Sequence, residues 1–145
     1  MRVMTFNIQH ALDYQKQIVD TSLFADAIRR YSVDVCGLNE VRRGDGSHPD
    51  FTDQAKDIGD ALGYTPYFGK AIRFDGECPH DYGNAIVSRY PIRSVETVPI
   101  PDPVDRSEPV YYETRCVIKA ILDIEGTDVC FLVCHMGLAE SERYE

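Results

Sequence analysis

Two short apolar runs, Arg2–Ile8 and Val33–Leu38, flank a stretch with helical periodicity. This strand–helix–strand opening restricts the fold more than any other feature of the chain. Both runs end on polar residues, the first at Asn7 and the second at Asn39 and Glu40. Between them Asp20, Thr21 and Ser22 are good helix N-caps. Phe24, Ala27, Ile28 and Tyr31 then recur at helical spacing. The alternation continues with a turn-rich loop, Arg43–Asp50, and a second helical stripe made by Phe51, Ala55, Ile58 and Leu62. Gly63 is placed to stop that helix.

The rest of the chain reads mainly as strands. Tyr64–Phe74 is extended and aromatic-rich, Asp75–Asp81 is a loop, and Gly83–Arg89 is a strand limited by Pro91. Val98–Pro109 is rich in proline and predicts an irregular connection. Cys116–Ile124 and Asp128–Cys134 form the strongest β pair, joined by the turn Glu125–Thr127. Gly137–Glu145 reads as the opening of a helix. The order predicts a layered α/β (α+β) domain rather than a helical bundle or a pure β-sandwich.

With 145 residues, 43% hydrophobic and 27% charged, the chain is long enough for one domain with a real core. No apolar run approaches the ~18 residues of a membrane span. The start carries no leader pattern. With Met1 as the native first residue the expected location is cytoplasmic, and secretion is the alternative if a leader has been removed. The net charge of -9 opposes sequence-independent binding to nucleic acid. Arg42 and Arg43, next to Glu40, could hold an anion or could simply be solvated. An odd count of five cysteines, mostly in apolar runs, fits reduced thiols better than a disulfide framework.

Asn7, Glu40, Asn84 and His135 are the polar groups at strand ends, where a side chain reaches the rim of a sheet without opening the core. Asn7 and Glu40 offer oxygen ligands of the kind hard divalent cations take. His135 can donate a hydrogen bond to a phosphoryl oxygen. A zinc site at Cys130, Cys134 and His135, with Cys78 and His80 as another pair, is disfavoured, because strand alternation turns His135 away from the two cysteines and the spacing misses the usual structural-zinc patterns.

Five segments together resemble the endonuclease/exonuclease/phosphatase family, the deoxyribonuclease-I-like phosphoester hydrolases. Met4-Thr-Phe-Asn7-Ile8 is similar to the family's first strand, whose Asn helps bind metal. Val33–Glu40 resembles its second strand, which ends on the principal metal ligand; the family more often has Gln where Asn39 stands. Tyr82–Ile92 (Tyr-Gly-Asn-Ala-Ile-Val-Ser-Arg-Tyr-Pro-Ile) is the most specific match. Glu113-Thr114-Arg115 resembles a segment whose Arg approaches the site. Val133–Leu138 resembles the strand end that usually reads Thr-His, with Cys134 in place of that Thr.

The resemblance implies the N-terminal part, residues 1–145, of one four-layer αββα domain, with two packed sheets and helices outside. It implies Asn7 and Glu40 as ligands of Mg2+ or Mn2+, and His135, Arg115 and Asn84 as catalytic residues. The expected reaction is hydrolysis of a phosphoester by the complete protein. A small or lipid-derived ester is favoured by the acidic charge over nucleic acid. The family's later Gly-Asp-x-Asn and Asp-His motifs are absent from Met136–Glu145. The isolated chain is therefore expected to bind magnesium weakly, to turn over slowly if at all, and to self-associate through an exposed sheet face. The alternative reading is a non-catalytic interaction module that keeps half the fold.

Overall fold

A computed structural model of the chain describes residues 1–144; Glu145, the last residue of the expected terminal helix, lies outside them. The first strand, β1 (Val3–Asn7), is followed by a 3-10 turn at Gln9–Ala11 and a small hairpin of β2 (Leu12–Asp13) and β3 (Ile18–Val19). Helix α1 (Thr21–Arg30) starts where the sequence places it, with the Asp20 carboxylate accepting from the Ser22 N–H at 3.0 Å. Strand β4 (Val35–Arg43) runs parallel to β1. Helix α2 (Gln54–Leu62) begins three residues later than the apolar stripe implies, because the Asp53 side chain caps it. It ends at Gly63, whose φ of 70° is the left-handed conformation that glycine supplies without strain.

Strands β5 (Thr65–Phe74) and β6 (His80–Ser88) complete a four-stranded sheet in the order β1-β4-β6-β5. A second sheet holds β7 (Ile92–Pro99), β8 (Cys116–Ile124) and β9 (Thr127–Cys134) in that order. A last short helix, α3, covers Ser141–Tyr144. The sequence gives little sign of β7. Its residues are mostly polar, and it becomes a strand because it pairs antiparallel with β8.

Strand alternation builds two cores on the two faces of the first sheet. Cys36 and Leu38 point to the helices and pack with Ile28, Ile58, Val87 and Phe68. Val35 and Ile86 point the other way, against Ile118, Ala120, Leu122 and Val133 of the second sheet. The two sheets come close at glycine. A Cβ on Gly69 would lie 2.6 Å from Ile118 Cγ1, and one on Gly37 3.1 Å from Val133.

This packing corrects the expectation of an open half-core. Ala120, Leu122 and Val133 are buried between the sheets, and Val117 and Phe131 are half-buried. Exposed apolar residues lie elsewhere, among them Leu132, 67% exposed on β9, and Val3, 55% exposed on β1. A groove of about 280 Å³ separates these two strands.

Candidate active site

Glu40 sits on a β-bulge. Between the pairs Leu38–Ala85 and Val41–Gly83, two residues of β4, Asn39 and Glu40, oppose the single residue Asn84 of β6. Glu40 takes up the extra length with φ 57°, a left-handed conformation that costs a non-glycine residue about 1–2 kcal/mol. The bulge keeps β4 running to Arg43, past the end at Leu38 that the apolar run implies. It also turns the Glu40 carboxylate to the rim, beside the end of β1. There the Asn7 amide donates to Glu40 Oε1 at 2.7 Å, and Asn7 Oδ1 accepts from the Gln9 N–H. The two oxygen ligands expected from the sequence are thus neighbours on adjacent parallel strands.

His135, just past β9, brings Nε2 to 4.0 Å from Glu40 Oε1. Its Nδ1 lies 2.9 Å from Arg115 Nη1. A guanidinium only donates, so Nδ1 accepts and the ring proton of the neutral imidazole sits on Nε2, facing Glu40. Burial, and then the positive charge of Arg115, lower the His135 pKa below its usual 6.5 and keep the ring neutral. Arg115 also donates to Glu113 at 2.8 Å, a mostly buried ion pair that coexists with the contact to His135. Burial raises the Glu113 pKa, and Arg115 offsets that only in part.

Asn84 is placed differently from the expectation. It is buried and does not open to the cleft. Its Oδ1 accepts from Asn39 Nδ2 at 2.9 Å, and its Nδ2 donates to the Cys116 carbonyl at 3.0 Å. Asn39 also reaches the Cys134 carbonyl. The pair ties the two sheets together beneath Glu40 and His135. Arg42 and Arg43 separate as well. Arg43 pairs with Asp81 at 2.9 Å and lies over the Phe68 ring. Arg42 turns into a cleft of about 440 Å³ that opens beside Glu40 and is lined also by His10, Phe74, His80, Tyr82 and Glu113.

Sequence reading missed His10 and Gln54, and weighed His80 only with Cys78 as a zinc pair. His10 lies in a turn where Gln9, His10 and Ala11 all have positive φ, of 45°, 59° and 60°. No sequence motif announces three such residues in a row. Gln54 is fully buried, accepting from the Arg42 N–H at 2.9 Å and donating to the His10 carbonyl at 2.6 Å. Among the described residues, three buried side-chain polar atoms have no hydrogen-bond partner: His10 Nδ1, Arg42 Nε and Arg115 Nε. The first two belong to walls of the cleft and the third to the side chain that holds His135.

The donor set suits a hard divalent cation. Glu40 supplies a partly exposed carboxylate, and the Asn7 amide beside it offers a second oxygen by rotation. Among the described residues no group of three or more His, Cys, Asp or Glu is placed to hold a metal. All five cysteines are unpaired. Cys36 and Cys116 are buried, Cys78 and Cys134 half-buried and Cys130 exposed, and burial pushes the Cys36 thiol up to about 12.

The fold is shared with solved structures of other proteins. An endonuclease/exonuclease/phosphatase from Beutenbergia cavernae is 29% identical, with a TM-score of 0.77 over 94% of this chain and 38% of its own. An endonuclease/exonuclease/phosphatase family protein from Leptotrichia buccalis has a TM-score of 0.68 at 21% identity, over 97% of this chain and 56% of its own. A mannosyl-6-phosphatase from Bacteroides thetaiotaomicron has a TM-score of 0.65 at 18% identity, over 97% and 54%. The chain therefore spans between 38% and 56% of the length of these three structures. No curated protein matches the sequence closely enough to count as a relative. The sequence profile of the endonuclease/exonuclease/phosphatase family matches residues 4–119, most of the chain, so the protein belongs to that family.

Proposed function

We propose that this chain forms the metal- and phosphate-binding part of a metal-dependent phosphoester hydrolase. The observation that carries the reading is the convergence of Asn7, Glu40, His135 and Arg115 at one rim, from β1, β4 and the segments flanking β8 and β9. Glu40 and Asn7 would hold Mg2+ or Mn2+. Bound there, the cation supplies positive charge where negative charge develops on the phosphoryl group. His135 donates from Nε2 to a phosphoryl oxygen. Arg115 fixes that tautomer and adds a second positive charge behind it. Asn84 and Asn39 act as braces, setting the heights of the strand ends that carry Glu40 and His135.

The substrate proposed is a small phosphoester. The cleft beside Glu40 has the volume of a small-ligand pocket. The net charge of -9 disfavours a polyanion. The mannosyl-6-phosphatase among the structural neighbours shows a phosphatase built on the same fold. Alone, the 145-residue chain is proposed to bind magnesium weakly and to turn over slowly, since its sequence carries neither the Gly-Asp-x-Asn nor the Asp-His motif of the family.

The test is hydrolysis of a panel of phosphomonoesters and phosphodiesters by the protein in its natural length. The expected result is magnesium- or manganese-dependent turnover that falls at least ~100-fold on Glu40→Ala, as for loss of one member of a cooperating set. Turnover that survives both chelation and Glu40→Ala contradicts the reading.

A further inference from the structure

The cleft beside Glu40 is built at a cost that the phosphoryl site itself does not explain. Three consecutive left-handed residues, Gln9, His10 and Ala11, hold the His10 ring on one wall. Strain of this kind persists only where surrounding structure enforces it. Gln54, fully buried, does so by bonding the His10 carbonyl and the Arg42 N–H at once, which fixes two wall residues from two different elements. Both side chains line the cleft, while His10 Nδ1 and Arg42 Nε themselves lie buried behind its surface without a partner.

We propose that this cleft is the leaving-group subsite and that it takes one hydroxylated ring, the sugar of a monosaccharide phosphate. The inference rests on the phosphoester reading above. Glu40 belongs both to the phosphoryl site and to the cleft wall, so a phosphate held at Glu40 and His135 directs its ester substituent into the cleft. The volume, about 440 Å³, is enough for one ring and its substituents.

The walls combine two chemistries. Phe74 stacks on His80 with ring centroids 5.1 Å apart, and its ring meets Tyr82 edge-on at 6.1 Å. Their faces suit the apolar C–H side of a sugar ring. The polar groups are mixed: Arg42 donates, Glu113 accepts, and His80, whose Nδ1 donates to the Cys78 carbonyl at 2.9 Å, accepts at Nε2 when neutral. A hydroxyl is itself donor and acceptor and can use all of them. A second phosphate needs donors only, and would meet the carboxylates of Glu113 and Glu40.

The test is calorimetric binding to the whole chain in magnesium buffer, with inorganic phosphate, glycerol phosphate, a hexose monophosphate and adenosine monophosphate as probes. The hexose phosphate should bind roughly tenfold tighter than inorganic phosphate or glycerol phosphate, the gain expected from two or three added hydrogen bonds. His10→Ala and Arg42→Met should each remove that gain. Phe74→Ser, at the exposed end of β5, tests the aromatic wall without disturbing the core and should reduce it. Equal binding of inorganic phosphate and hexose phosphate overturns the subsite and leaves the hydrolase reading intact. Tighter binding of adenosine monophosphate than of the hexose phosphate overturns the sugar assignment. Absence of any phosphate binding overturns the reading of the phosphoryl site and the subsite with it.

Discussion

Glu40 combines backbone strain with a position that only a carboxylate can use. Its left-handed φ of 57° favours glycine, yet the chain keeps an acid there. Glu40→Gly should relieve about 1–2 kcal/mol of strain. It also forfeits the hydrogen bond from Asn7, worth about 1 kcal/mol. The two nearly cancel, so the expected outcome is a thermal midpoint close to the parent's with metal-dependent phosphate binding lost; differential scanning calorimetry beside a binding titration checks both. His10 and His135 give a pH signature. Burial lowers both pKa values below 6.5, with Arg42 and Arg115 respectively adding to the effect. As pH falls through 6.5 the unfolded chain takes up protons that the folded chain refuses. The stability they contribute is thus present above 6.5 and lost as pH drops toward their folded values. Glu113, raised by burial, works in the opposite direction at lower pH. Thermal midpoints measured from pH 8 down to about 5 should fall less steeply in a His10→Gln, His135→Gln double variant than in the parent.

The elements that carry strong periodicity were legible in the sequence: α1 with its Asp20 cap, the stop of α2 at Gly63, and the β8–β9 pair. So were Asn7, Glu40 and His135, because a polar residue closing an apolar run has few places to go except a sheet rim. The small hairpin, β7 and the turn at Gln9–Ala11 were not legible. Each is imposed by partners distant in sequence: β7 by β8, and the turn by Gln54, 44 residues beyond His10. Asn84 shows the complementary limit. Its motif was readable, but its burial against Asn39 and Cys116 depends on how two sheets meet. Gln54 is the sharpest case for experiment. Gln54→Leu keeps the volume but strips partners from the Arg42 N–H and the His10 carbonyl. The expected loss is about 2–4 kcal/mol of stability, measurable by urea unfolding, because two buried backbone groups lose their bonds.

At the scale of the molecule, the described residues form three layers, helices on a four-stranded sheet on a three-stranded sheet, with the site at one end of the sheet–sheet contact. The inner faces are closed, and the apolar residues left exposed, among them Val3, Val104, Leu132 and Leu138, lie on edges, loops and outer faces. On the proposed function, the end of this contact holds a metal and a phosphoryl group together. The decisive measurement is titration of inorganic phosphate into the chain, with and without magnesium, followed at the His135 ring by NMR. The expected result is a shift at His135 that requires magnesium and disappears in Glu40→Gln. A phosphate-induced shift of equal size without magnesium, or one that persists in Glu40→Gln, would contradict it.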